Sequence, residues 1–206
     1  MNRACSARLC LSGLLAALVW SISGTAAAQI KQPGAHYRYG VELDPHVLLQ
    51  HSDQPIGDEG YGFGLHVGIP FMHNGPIPSI NNSIGIKVGI DFAFFGDEDV
   101  CRRRGAEFFV EDCDSMNVWI PVTAQWNFYF SKVVSVFAEP GLAFQYESWS
   151  LEGTCAGGGD CSQENSDVDP IEPTFWVGGR FLFADRFGLT VRLGYPSMMI
   201  GGSILF

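Results

Sequence analysis

Apolar and polar residues alternate with a period of two along most of the chain, most clearly from Asn117 to Ser131, NVWIPVTAQWNFYFS. Val118, Ile120, Val122, Ala124, Trp126, Phe128 and Phe130 fall on one side, and Asn117, Thr123, Gln125 and Asn127 on the other. Successive strand residues point to opposite faces of a sheet, so this is a strand with one greasy face and one wet face. At roughly 3.3 Å per residue it is long enough to cross a bilayer with tilt. In a soluble barrel the greasy face would line the interior, whereas in an outer-membrane barrel it faces lipid.

The pattern predicts eight strands, at about 36–50, 60–71, 83–95, 116–131, 133–149, 171–184, 187–195 and 197–206. An even count suits a single-chain bacterial barrel. In the first strand Tyr37, Tyr39, Val41 and Leu43 share a face opposite Arg38, Glu42, Asp44 and His46. Counted from a periplasmic start, residues 51–60, 96–116 and 150–170 read as outer loops, with a tight Pro196-Ser197 turn. The inner turns are 72–83, 131–132 and 185–186.

Before the first strand, Arg3 and Arg8 precede an apolar run from Leu9 to Ile22, and Ala26-Ala27-Ala28 follows. This is the pattern of a cleaved secretory signal peptide over residues 1–28, leaving 29–206 as the barrel. The run falls short of the roughly 20 residues that a helical span requires.

A soluble lipocalin-like barrel would have to pack every Phe, Val and Ile of these strands into a lumen of limited volume. They exceed what eight strands enclose, and the export signal points the same way. The fold class expected is therefore all-β: an eight-stranded antiparallel up-and-down transmembrane β-barrel, located in the bacterial outer membrane.

The last hairpins, GGRFLFADRFGL from Gly178 to Leu189, and the terminal strand with Met198, Ile200, Gly202, Ile204 and Phe206 in alternation resemble the small eight-stranded outer-membrane barrels of Gram-negative bacteria, of the OmpA/OmpX type. That resemblance implies contact with lipid and lipopolysaccharide, and a terminal Phe206 read by the barrel-assembly machinery. It implies nothing about one member's task.

The predicted lumen carries Arg38, Lys87, Arg180 and Arg192 beside Glu42, Asp44, Asp91, Glu139, Glu147 and Glu172, with His46 and His66 on the same face. Charges in a narrow barrel must pair, because an unpaired one costs several kcal/mol. A lumenal charge network is the expectation, and a selectivity lining for a narrow solute channel is its functional alternative. Lumenal glycines at 62, 64, 68, 85 and 89 leave room that bulk from other strands must fill.

Lipid A-modifying barrels are the enzymatic alternative, and they need a nucleophile and base within reach of lipid. The lipid-facing positions supply none, and no catalytic residue, metal or cofactor is expected.

The net charge of −10 speaks against a nucleic-acid partner. The acidity is concentrated in the predicted outer loops, for example Asp97, Glu98, Asp99, Glu111, Asp112, Glu152, Asp160 and Glu164. Divalent cations bridging lipopolysaccharide phosphates, or a basic surface partner, would suit it. Cys101 and Cys113 bracket one loop and Cys155 and Cys161 the next. Three connectivities are open, of which pairing within each loop is the simplest. The functional expectation is a non-enzymatic protein serving envelope integrity or surface contact.

Overall fold

The structure is a computed structural model that describes residues 29–51, 59–95, 108–155 and 158–206. The expected signal peptide lies outside them. Eight strands are described: β1 (Glu42–His51), β2 (Glu59–Met72), β3 (Asn82–Phe95), β4 (Phe108–Tyr129), β5 (Val134–Cys155), β6 (Asp160–Ala184), β7 (Phe187–Tyr195) and β8 (Ser197–Leu205). Each pairs antiparallel with its sequence neighbours, and β8 returns to β1 to close the barrel. Across the lipid-facing band closure leaves no sheet edge unpaired, which a bilayer demands of any spanning sheet.

The alternation sets the sidedness. Val47, Leu65, Val88, Val122, Leu142, Val177 and Ile200 are exposed on the outside, whereas Glu42, Lys87, Gln125, Glu139 and Arg192 are buried inside. From Tyr61 to Phe71 on β2 the outward apolar positions form a band roughly 25 Å tall at ordinary strand tilt. Trp126, Phe128, Phe183, Phe187 and Phe206 lie toward the end that holds the inner turns. Such an inside-out barrel is stable only in a membrane, and it is the architecture of a small outer-membrane β-barrel.

The strands depart from the sequence pattern at three places. β4, β5 and β6 run to 22, 22 and 25 residues, against 9 to 14 for the others, so 108–116 and most of 150–170 are paired ribbon rather than loop. The alternation is silent on β6 from 162 to 168, where residues of both faces are exposed to water. At the ribbon tip, Gly158 and Gly159 take φ of 81° and 102°, and Cys155 and Cys161 form a disulfide across the turn. Cys101 and the Cys113 side chain lie outside the described residues. A register shift between Ala143 and Gln145 moves the acids above it by one position on β6.

The third departure is at the start. β1 begins at Glu42, not near residue 36, and the Phe206 carbonyl accepts from both Gly40 N (2.6 Å) and Val41 N (3.2 Å). This double acceptance bends the chain out of the strand. Residues before it fold beneath the barrel, where the Ile30 carbonyl accepts from Asn81 N at 2.7 Å. Tyr39, expected to face lipid, is instead buried in the barrel mouth, and Arg38, expected in the lumen, is exposed.

Candidate functional site

The interior is ordered in layers that β1 marks out from the inner end: Glu42, Asp44, His46 and Leu48. The lowest layer is aromatic and hydroxylic. His36 stacks on Tyr129 with ring centroids 4.0 Å apart, and its Nδ1 lies 2.6 Å from Asn81 Oδ1. Tyr129 OH meets Ser83 Oγ at 2.8 Å.

Above it lies the ionic core. Arg180 donates to Glu42 Oε1 at 2.5 Å, and Ser203 Oγ donates to the same oxygen at 2.8 Å. Thr190 supports Ser203 at 2.6 Å. Lys87 Nζ stands 2.8 Å from Asp44, 3.4 Å from Glu42 and 3.7 Å from Glu139. Arg192 pairs with Asp44 through Nη2 and with Glu139 at 2.8 Å through Nε. The Phe137 ring lies under both guanidiniums, 5.3 Å from that of Arg192 and 5.8 Å from that of Arg180. Three carboxylates and three cations thus balance in charge, although Glu42 Oε2, Asp44 Oδ1 and Arg192 Nη1 are buried without a hydrogen-bond partner. Gln125 extends the network by donating to Glu139 at 2.5 Å.

The third layer holds His46, His66 and Asp91. His46 Nε2 is 2.9 Å from Asp91 Oδ1, and His66 Nε2 is 3.0 and 3.1 Å from the two carboxylate oxygens. His46 Nδ1 meets the Asp44 carbonyl at 3.0 Å. Strand register brings them together: His46 is opposite Gly64, Gly64 is opposite Asp91, and His66 is opposite Gly89. A Cβ on Gly64 would overlap Asp91, and one on Gly89 would overlap the His66 ring. The predicted surplus of glycine on β2 and β3 is therefore room for these side chains and for Lys87, which lies over Gly68.

The top layer is apolar. Leu48, Ala93, Phe95, Trp176 and Met199 form one buried cluster, and Trp176 Nε1 donates to the Ser197 carbonyl at 2.9 Å. Trp119 is buried at the same end of the barrel.

Of the residues expected in the charge network, Glu42, Asp44, His46, His66, Lys87, Asp91, Glu139, Arg180 and Arg192 are buried together. Three are not. Arg38 is exposed because the chain has left the strand before it is reached. Glu147 and Glu172 are only half-buried, because they lie toward the outer rim, beyond the apolar layer. Tyr39, Tyr129, Ser203 and Thr190 belong to the network although sequence reasoning passed over them. The polar side of β7 and β8 was the signal for the last two. Phe206 zips the end of the barrel to β1 through the Val41 carbonyl at 2.9 Å, with its ring exposed.

No protein-family model matches the chain, and no curated protein matches it. Among solved structures the chain is similar to Ail, the attachment invasion locus protein of Yersinia pestis, in a complex with the heparin analogue sucrose octasulfate. Identity there is 15%, over 81% of this chain and 96% of that chain, with a TM-score of 0.44. It is also similar to Neisserial surface protein A at 14% identity, over 81% of this chain and 96% of that chain, with a TM-score of 0.39.

Proposed function

We propose that this chain is a non-enzymatic surface-contact protein whose barrel anchors a protruding acidic ribbon to the outer membrane. The observation that carries the reading is asymmetry between the barrel walls. β7 and β8 are 9 residues each, whereas β4, β5 and β6 continue as a sheet well past the lipid-facing band. Asp114, Glu152, Asp160 and Glu164 stand on this ribbon, and between Phe108 and Arg180 the one basic residue is Lys132, at an inner turn. Glu152, Asp160, Glu164 and Asp167 are exposed on the ribbon. Acids gathered on one surface repel one another, and a cationic partner surface removes that cost.

The ion-paired, aromatic-packed interior supports anchoring over conduction. The test compares wild-type barrels in nanodiscs with the quadruple variant Glu152→Gln, Asp160→Asn, Glu164→Gln, Asp167→Asn for capture by cationic and by anionic surfaces. Salt-sensitive capture by cationic surfaces that the variant loses is the expected result. Equal capture of both proteins would overturn the reading, as would steady single-channel conductance in planar bilayers.

A further inference from the structure

Asp91 is the buried carboxylate that the ionic core leaves over. Glu42, Asp44 and Glu139 are answered by Lys87, Arg180 and Arg192, whereas the ion partners of Asp91 among the described residues are His46 and His66 alone. A buried anion needs positive charge beside it.

The tautomer of His46 sharpens this need. The Asp44 carbonyl can only accept, so the hydrogen of a neutral His46 ring sits on Nδ1. Its Nε2 is then a bare lone pair 2.9 Å from a carboxylate oxygen, and two acceptors at that distance repel unless a cation joins them. His66 Nε2 converges on the same oxygens, and all the donor atoms of the trio lie within 4.8 Å of one another.

We propose that His46, His66 and Asp91 form a binding site for a first-row transition-metal dication of the zinc class. Two imidazoles and a carboxylate are a donor set for such ions and a poor one for calcium or magnesium, which take oxygen shells. Bonds of about 2.0–2.1 Å place neighbouring donors roughly 2.9–3.4 Å apart, depending on geometry. The nitrogen-to-oxygen distances of 2.9, 3.0 and 3.1 Å are edges of that size. The Nδ1–H bond from His46 to a backbone carbonyl is the outer support that metal-bound histidines ordinarily have. Gly64 and Gly89 leave bare backbone beside the donors, and three protein ligands leave a position for water. With Leu48, Trp176 and Met199 packed on the outer side, the ion enters as the barrel closes and thereafter ties β1, β2 and β3 together.

The test uses the tag-free chain folded into detergent micelles in the presence of zinc or cobalt, then dialysed against a weak chelator. About one ion per barrel is expected in the wild type, and at least a tenfold loss in Asp91→Asn and His66→Gln, with folding of each variant checked by the shift in gel migration on boiling. X-ray absorption of the zinc-loaded wild type should show imidazole scattering and no sulfur, which tests the site even where a variant fails to fold. Absence of retained metal, retention unchanged in both variants, or sulfur scattering from the cysteines would each overturn the proposal.

Discussion

Arg192 on β7 reaches across the interior to Asp44 on β1, although β8 lies between their strands, and the same guanidinium holds Glu139 on β5 at 2.8 Å. One side chain thus ties together three walls that no single hairpin connects. Arg192→Met leaves three carboxylates facing Lys87 and Arg180. Removing one partner of a buried pair costs about 3–5 kcal/mol, because the other charge stays buried. Urea unfolding in phospholipid vesicles should register that loss. Adding Glu139→Gln restores the charge balance, so the double variant should be more stable than Arg192→Met alone. Strict additivity of the two losses would show that the groups are not coupled.

The barrel was legible in the sequence because one physical rule, alternation against lipid, acts on every spanning strand. Val118 through Phe130 announce their side without any knowledge of neighbours. The ribbon was not legible, since a strand wetted on both faces has no period to read; Ser150 to Pro170 looks like loop and is mostly ladder. Tyr39 and Arg38 exchanged places because a bend at Gly40 resets the phase, and a two-residue pattern cannot reveal a bend made by a carbonyl at the far end of the chain. His46, His66 and Asp91 were each placed on the inner face. Their convergence depends on the register of three strands, which no single segment encodes.

Val122 faces outward near the middle of the apolar band, and its neighbour Thr123 is buried inside. Val122→Arg should therefore cost about 2–4 kcal/mol in a bilayer of ordinary thickness, because the charge sits near the midplane. The same change at the exposed ribbon residue Glu164 should move stability little. Equal effects at the two sites would contradict the membrane placement of the band.

Gly89 is closed in by the His66 ring, where an added Cβ would overlap it. Gly89→Ala should destabilise the barrel by about 1–3 kcal/mol through overpacking. Gly202 is the control, since its nearest neighbour would lie 3.9 Å from an added Cβ. Gly202→Ala should be nearly neutral in the same unfolding experiment, and a reversed order would refute the role given to Gly89.

The docked segment beneath the barrel should loosen in acid. Burial lowers the His36 imidazole below its ordinary value of 6.5, and His73 and Arg38 add to the effect, while the hydrogen bond with Asn81 acts the other way. The undocked segment therefore binds a proton more readily than the docked one, so docking is fully stable above pH 6.5 and weakens as pH falls below it. Each unit by which the docked value is depressed is worth about 1.4 kcal/mol at low pH. Protease cleavage between Gln29 and Tyr39 should accordingly rise from pH 7.5 to about pH 5, the acid region where a free histidine is charged. In His36→Asn, which keeps a hydrogen-bonding group and removes the titration, that pH dependence should flatten. A rise in cleavage that survives unchanged in the variant would assign the acid sensitivity to another group.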